Sequence, residues 1–492
     1  MQNNKSNFNQ AFWLAVSYTC NMLVGILSSV ILSRCFDKVQ YGTYKQIMYI
    51  YSALFTVFQA GLPAVFTYFL PRYTREEGKY IVQKVQKLLF VLGLLCSLVL
   101  FVGSVPLSIM MRNPDLSMGL KVFSIFPLFT LPTLGVEGIY TVNKNTRFVA
   151  IYNIVTRILM LLCIVLPVLF IKNDFRVALL GWGFASFAAF VIAIIAKNRA
   201  YQDVDACSLP SLTREIWSYS VPIMVSSVIV MFFKFADQFF ISRYFGTVAF
   251  ADYSNGHTTL PFAVMFITPV RAILTPLFSK ASKENDYNGA IKTLYSSMKQ
   301  IAVLMVPLVV YAFLFAGDIM VFLYGNAYEK SYIFFRIVIV FNYLEMFVFS
   351  NILSAIGRTK IIMMFDIICT AFLWIIDYWV VTYCNASPYL VAGLFVLLNS
   401  MAHYFLPAIY LRKKEGINVV DKDTLAYIFK ITVHCVVAGL LVYFLVVGMM
   451  PSTLALWRLT ISIAIFYVLI ITSSRILHVD YVKPLMRVLK RQ

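Results

Sequence analysis

The chain has 492 residues, of which 61% are hydrophobic and only 13% are charged, and its formal net charge is +19 at pH 7. Soluble globular domains are nearer 25% charged, so this composition excludes an ordinary soluble domain. The surplus of Lys and Arg does not indicate nucleic-acid binding, because no basic soluble domain is present and because the cytoplasmic loops of membrane proteins are themselves basic.

Apolar runs recur along the whole chain, and a helix of about 20 residues crosses roughly 30 Å of hydrocarbon. The runs are continuous rather than alternating, which excludes a transmembrane β-barrel. We therefore predict an all-α polytopic membrane protein with about 14 transmembrane helices, at residues 11–31, 44–70, 88–107, 119–139, 148–170, 177–196, 217–241, 249–278, 296–316, 332–356, 361–382, 389–411, 426–449 and 454–473.

Two of these spans contain residues that interrupt helices. The second has Gly61 and Pro63, and the eighth has Pro261, Pro269 and Pro276. Proline removes a backbone donor, and membrane helices tolerate it where neighbours or water satisfy the freed carbonyl groups. We expect the second span to be bent and the eighth to be broken near Pro269.

The distribution of Lys and Arg between alternate connections predicts the orientation. Basic residues concentrate in the connections that lie on the same side of the membrane as the N-terminus. Examples are PRYTREEGKY (71–80) and LRKKEGINVVDKD (411–423). Because Lys and Arg favour the cytoplasmic side, both termini are predicted to be cytoplasmic. The tail DYVKPLMRVLKRQ (480–492) either lies along the inner membrane face as an amphipathic helix or is a frayed basic end.

An internal repeat divides the chain. LSRCFDKVQYGTYKQ, from Leu32, aligns with ISRYFGTVAFADYSN, from Ile241. The identical pairs are Ser33/Ser242, Arg34/Arg243, Phe36/Phe245, Val39/Val248 and Tyr44/Tyr253. The copies are an even number of spans apart, so the repeats are parallel and related by an axis along the membrane normal. We predict two six-helix lobes, residues 1–200 and 201–415, around a cavity, followed by spans 13 and 14 and a basic cytoplasmic tail in residues 416–492.

Four segments resemble those of a known family. ILSRCFDKVQYGTYKQ is similar to its first-loop pattern, and WSYSVPIMVSSVIVMFFKFADQFFISRYFG is similar to its seventh helix. VPLVVYAFLFAGDIMVFLYGNAYEKS resembles the ninth helix with the turn that follows, and SNILSAIGRTK resembles the end of the tenth. By these segments the chain resembles the O-antigen-type polysaccharide flippases of the multidrug/oligosaccharidyl-lipid/polysaccharide superfamily.

The resemblance implies a function. Such flippases move a lipid-linked oligosaccharide, carried on undecaprenyl diphosphate, from the cytoplasmic to the outer leaflet of the bacterial inner membrane. It implies a fold of two six-helix bundles with two additional helices, and it implies glycan polymerase and chain-length proteins as partners. An O-antigen, capsule or exopolysaccharide unit and a peptidoglycan precursor all remain open as the cargo.

Cations lie inside the predicted spans, where a charge costs roughly 2.5–3.5 kcal/mol even on the mildest scale. They are Arg157, Lys234, Arg271 and Arg336. Charged residues at this depth usually face a bundle interior or a water-filled cavity, and guanidinium and ammonium groups bind phosphate. We predict that these four line a cationic cavity for the substrate. For Arg271 and Arg336 the alternative is extension of the side chain to the membrane surface.

Carboxylates within or beside the spans are candidates for coupling transport to an ion, H⁺ or Na⁺. They are Asp237, Asp252, Glu345 and Asp377. Lys234 and Asp237 are spaced to share one helix face, where they form either an internal ion pair or a pair whose partners change during transport. Glu345 faces either Arg336 or water.

Motifs for catalysis and metal binding are absent from the sequence. There is no GxxxxGK[ST], GxSxG or HExxH, the eight Cys form no CxxC, and the four His are dispersed. We therefore predict a transporter without catalytic residues, bound metal or cofactor. The alternatives are a drug/cation antiporter of the sister family, which favours an acidic or apolar cavity, and a membrane glycan polymerase or ligase, which needs a larger outer loop.

Overall fold

The computed structural model describes residues 2–209, 212–258, 261–450 and 454–474, together with 479 and 481. All regular secondary structure in those ranges is helical, and the chain forms two compact units, Met1–Ala251 and Asp252–Gln492. The first unit contains α1 (Gln2–Cys35), α2 (Lys38–Phe58), α3 (Pro63–Phe69), α4 (Arg75–Met110), α5 (Asp115–Phe123), α6 (Phe126–Thr130), α7 (Val136–Val142), α8 (Thr146–Phe170), α9 (Phe175–Ala200), α10 (Leu212–Lys234) and most of α11 (Ala236–Gly256).

The second unit follows within α11. It contains α12 (Pro261–Glu284), α13 (Asn288–Leu314), α14 (Ala316–Tyr324), α15 (Ser331–Leu344), α16 (Phe349–Ala355), α17 (Thr359–Tyr383), α18 (Pro388–Ser400), α19 (Leu406–Lys414), α20 (Lys422–Met449) and α21 (Ala455–Ser473). Its core is apolar and includes Met305 and Val306 of α13 and Ile431 of α20, all fully buried. The two packed helices α13 and α20 therefore form the centre of this unit.

The predicted fold class is confirmed: this is an all-helical, multi-pass membrane protein. Among the described residues, 12 helices are long and apolar enough to cross a membrane, or 13 if α15 and α16 form one bent span. The eighth predicted span (249–278) and the tail (480–492) extend outside the described residues. The lobe boundaries at residues 200 and 415 stay predictions, and α10 packs with the first unit, against α2 and α3.

Large apolar side chains cover much of the outer helical surface. Leu98 and Val102 of α4 and Phe170 of α8 are among the exposed ones. A water-soluble protein with such extensive apolar surface would aggregate, whereas lipid tails solvate it at no cost. The distribution of exposed residues thus agrees with helices that contact the bilayer.

The second span is bent where the sequence predicts. Between α2 and α3, Ala60 has φ 50° and Gly61 has φ 67°. A Cβ at Gly61 would lie 2.9 Å from the Ser220 carbonyl oxygen of α10, so glycine is needed there for close approach as well as for its backbone conformation. The predicted break at Pro269 is wrong, because α12 continues as a helix through that residue.

Three further spans are irregular in ways that the sequence analysis did not anticipate. The fourth is divided into α5, α6 and α7, with a 3-10 turn at Leu131–Thr133 and Gly135 at φ 97°. The tenth bends by 45° between α15 and α16, and the twelfth contains a π-helical turn at Met401–Phe405. Each irregularity frees backbone groups that other parts of the protein must satisfy.

Close packing of α8 and α9 depends on a glycine. A Cβ at Gly181 would lie 1.9 Å from the carbonyl oxygen of Cys163, which is backbone and cannot rotate away. Small residues at such positions allow membrane helices to approach, and this approach supplies much of their packing energy. Gly181 therefore fixes the distance between the two helices.

We expect Gly181→Ala to destabilise the protein by about 1–3 kcal/mol, the usual range for an overpacked site. Gly393→Ala in α18 is the matched control, because a Cβ there meets nothing within 4 Å and alanine favours the helix. Thermal unfolding followed by tryptophan fluorescence in detergent measures both. Equal unfolding temperatures for the two variants would contradict the packing argument.

Candidate functional site

In the second unit, a polar cluster lies where helices are irregular. Arg271 lies on α12, Glu345 lies at the bend between α15 and α16, and Tyr404 lies in the π-helical turn. The charge of Arg271 acts on both Glu345 and Tyr404. Irregular turns of this kind are frequent at functional sites, because they direct side chains and backbone groups away from the regular helical ladder.

The hydrogen bonds of this cluster are incomplete. Asn342 donates from Nδ2 to Glu345 Oε2 at 3.0 Å, but its own Oδ1 is buried without a partner in the described structure. The Nε of Arg271 is likewise buried there without an acceptor. A buried polar group left unpaired costs about 1–3 kcal/mol, and more if it is charged. The cluster therefore contains a guanidinium N–H and an amide oxygen whose hydrogen bonds are not satisfied in the described structure.

The guanidinium group of Arg336 forms its hydrogen bonds within the protein. Its Nε donates to the Phe313 carbonyl oxygen at 2.9 Å and a terminal nitrogen to the Leu314 carbonyl oxygen at 3.3 Å, both at the end of α13. The guanidinium also lies over the Tyr332 ring, 4.8 Å from its centroid. It thus satisfies carbonyl groups that a helix end leaves free. Glu345 accepts a hydrogen bond from Asn342 and interacts electrostatically with Arg271. These partners differ from the two predicted from the sequence, Arg336 or water.

In the first unit, Arg157 is exposed on α8 between two cavities of about 530 and 320 Å³. Arg157 and Met160 line both of them. The larger cavity also contains Glu137, whose Oε1 accepts a hydrogen bond from the Tyr18 hydroxyl at 2.5 Å. Lys45 lines the smaller cavity and donates to Ser29 at 2.9 Å. Arg157 therefore contributes a positive charge to both cavities.

Lys234 and Asp237 have different environments, although the sequence places them on one helix face. The helix is interrupted at Phe235, so Lys234 ends α10 and Asp237 lies in the first turn of α11. The Lys234 side chain is exposed, whereas Asp237 is fully buried and accepts from the Gln238 backbone at 2.8 Å. Its charge acts on Tyr49 of α2.

The other two predicted carboxylates are also buried and lie in the second unit. Asp252 accepts a hydrogen bond from the Ser331 hydroxyl, at the start of α15, at 3.2 Å. Asp377 is fully buried within α17. Asp366 lies earlier in the same helix, and its Oδ1 is 3.8 Å from Nδ1 of His403 in the π-helical turn. A buried carboxylate can bind a proton or a cation, so Asp252 and Asp377 remain candidates for ion coupling.

The sequence analysis missed a buried cation. Lys197 of α9 is 2% exposed. In the sequence it directly follows the predicted sixth span, and this position predicts that it belongs to a basic cytoplasmic connection. Its Nζ donates to Gln86 Oε1 and to the Pro132 carbonyl oxygen, each at 2.8 Å, and to the Leu134 carbonyl oxygen at 2.5 Å. Three acceptors require three N–H bonds, which only the ammonium form provides. The available signal was Gly135, whose left-handed conformation ends the helix and leaves the preceding carbonyl groups in need of a donor.

Comparison with known proteins identifies two matching families. The model of the family described as polysaccharide biosynthesis protein matches residues 8–282, and that of the MatE family matches residues 222–379. An uncharacterized membrane protein of Bacillus subtilis, YabM, is 20% identical over an alignment of 322 residues. The alignment covers 60% of this chain, and the chain spans only 59% of that relative's length.

Solved structures share the fold. The lipid II flippase MurJ in an inward closed conformation matches with a TM-score of 0.69 at 15% identity, over 96% of this chain and all of that one. An inward-facing multidrug resistance MATE transporter of the MOP superfamily matches with a TM-score of 0.64 at 14% identity, over 83% and 98%. At such identities the likeness establishes the fold and not the substrate.

We expect Lys197→Met to lower the free energy of unfolding by about 2–5 kcal/mol, because it leaves buried acceptors without a donor. Lys172→Met is the control, since the Lys172 side chain is 71% exposed. Chemical or thermal unfolding in nanodiscs compares the two. If both variants were as stable as the wild type, Lys197 would not be holding the break in the fourth span.

Proposed function

Because this chain belongs to the polysaccharide biosynthesis protein family, we propose that it is a flippase for lipid-linked oligosaccharides. In this proposal it moves a glycan carried on undecaprenyl diphosphate from the cytoplasmic to the outer leaflet of the bacterial inner membrane. Both termini are cytoplasmic, as the distribution of Lys and Arg predicts. A structural neighbour that is named as a lipid II flippase supports the class of substrate.

The observation that carries the proposal is one nitrogen of the Arg271 guanidinium group. Its Nε is buried and has no acceptor in the described structure. A diphosphate supplies such acceptors, and Arg presents a planar array of donors that matches phosphate oxygens. Arg157 and Lys234 add exposed cations in the first unit. In the proposed cycle, the two predicted lobes expose these cations alternately to each side of the membrane.

Carboxylates provide the coupling in this proposal. Glu345 accepts a hydrogen bond from Asn342 and interacts electrostatically with Arg271. Binding of a proton or Na⁺ to Glu345 therefore weakens the attraction between its carboxylate and the Arg271 guanidinium group. Asp237, Asp252 and Asp377 are buried and are the further candidates. Because a carboxylate and a phosphate compete for one guanidinium, neutralising Glu345 favours binding of the substrate at Arg271.

A drug/cation antiporter is the second candidate, since the MatE family model matches residues 222–379. That range includes Arg271, which repels a cationic drug, as well as the buried carboxylates Asp237 and Asp377 that would attract one. The two functions make opposite demands on Arg271. Its removal weakens transport of an anionic lipid and strengthens transport of a cation.

We expect Arg271→Gln to slow translocation of a fluorescent polyprenyl-diphosphate oligosaccharide by about 10–100-fold, the loss of one hydrogen bond to a charged group. Proteoliposomes with the purified protein, scored by protection of the lipid from an external glycosidase, measure the rate. Arg271→Lys should retain part of it. Arg176→Gln is the control, because Arg176 is an exposed residue at the start of α9.

Two results would overturn the flippase assignment. One is a wild-type protein that moves no polyprenyl-diphosphate oligosaccharide in a preparation with native unfolding temperature. The other is a protein that transports an organic cation such as ethidium, at a rate that rises in the Arg271→Gln variant. The second result would establish the antiporter.

We expect Glu345→Gln to remove the acceleration of transport by an imposed H⁺ or Na⁺ gradient and to strengthen binding of the lipid, because a neutral amide cannot exchange an ion and does not compete with phosphate for Arg271. Transport with and without each gradient measures the coupling. Glu329→Gln, at an exposed carboxylate, is the control. Unchanged gradient dependence in Glu345→Gln would assign coupling to another of the buried carboxylates.

A further inference from the structure

The larger of the two cavities beside Arg157 is lined by α1, α3, α8, α9 and the segment from α6 to α7. Its volume of about 530 Å³ lies within the range of small-molecule sites. Nothing in the phosphate-binding role proposed for Arg271 uses it. We propose that this cavity binds one sugar residue of the transported oligosaccharide, an inference that rests on the proposed flippase function.

The threonines of the cavity wall present acceptors. Thr67, Thr130, Thr133 and Thr156 all line it, and each hydroxyl donates its hydrogen to a backbone carbonyl within its own helical segment, at 2.7–3.0 Å. A hydroxyl has one hydrogen and two lone pairs, so each oxygen retains acceptor capacity. The wall therefore favours a ligand rich in donors.

The charged residues of the cavity complete this preference. Glu137 accepts one hydrogen bond from Tyr18, and an ionised carboxylate has several more acceptor sites. Arg157 supplies the donors and offsets the carboxylate, so the cavity has no surplus of negative charge to hold a cationic ligand. A sugar ring matches this lining, because its hydroxyl groups supply donors for the threonines and Glu137 and acceptors for Arg157, and it has no net charge.

The wall is also held in place before a ligand binds. Lys197 donates to the carbonyl oxygens of Pro132 and Leu134, on either side of Thr133. On the opposite side, Asn153 donates to Ser17 at 2.9 Å and fixes α8 against α1. A rigid wall binds without the cost of ordering its side chains. The inference therefore places sugar recognition in the first unit and phosphate recognition at Arg271 in the second.

Saturation-transfer NMR on the protein in nanodiscs tests the proposal with three probes: methyl glucoside, methyl N-acetylglucosaminide and tetrapropylammonium. We expect at least one glycoside to bind, and Glu137→Gln and Thr133→Val to weaken it by about tenfold and severalfold, since each removes an acceptor with little change in shape. Glu215→Gln is the matched control, because Glu215 accepts from Tyr73 at 2.9 Å as Glu137 does from Tyr18. It should leave glycoside binding unchanged.

Three outcomes would overturn the sugar site: no glycoside bound by a folded protein, glycoside binding that neither Glu137→Gln nor Thr133→Val weakens, or tetrapropylammonium binding lost in Glu137→Gln. The proteoliposome assay separates this failure from failure of the flippase proposal. If Glu137→Gln moves the lipid-linked oligosaccharide at the wild-type rate, the sugar site is wrong and the flippase stands. If the wild type binds glycosides at Glu137 but moves no lipid, the reverse holds.

Discussion

The structure depends on one constraint: inside a membrane, polar backbone groups must find their hydrogen-bond partners within the protein or in a water-filled cavity. The fourth span shows how demanding this is. Its break frees the carbonyl groups of Pro132 and Leu134, and the ammonium group of Lys197 satisfies both while the Lys197 side chain stays 2% exposed. The break and the buried lysine are thus one feature, because neither is stable without the other.

The buried and half-buried cations differ in whether the protein satisfies their hydrogen bonds. Arg336 and Lys197 donate to carbonyl groups that helix ends and breaks leave free, so they stabilise the fold. Arg271 differs from them, because its Nε is buried without an acceptor in the described structure. Burial of a charge is therefore a weaker sign of function than an incomplete set of hydrogen bonds around it.

Sequence patterns predicted the parts that depend on composition. Long apolar runs located the spans, and Gly61 with Pro63 located the bend in the second, because hydropathy and proline act locally. Arg271, Glu345 and Tyr404 lie in three segments that are distant in sequence. Hydropathy does not indicate which faces of these helices pack together, so the sequence could not predict the cluster. Lys197 was missed for the same reason, since its acceptors on the fourth span are remote along the chain.

The acceptors of Lys197 are an amide and two peptide carbonyl groups, all of them uncharged. Its hydrogen bonds are satisfied, but its positive charge is not cancelled by them. In a medium of low dielectric constant such a charge produces an electrostatic potential that extends well beyond contact distance. When protonated, Lys197 thus favours anions over cations near this part of the first unit, at distances where no direct contact is made.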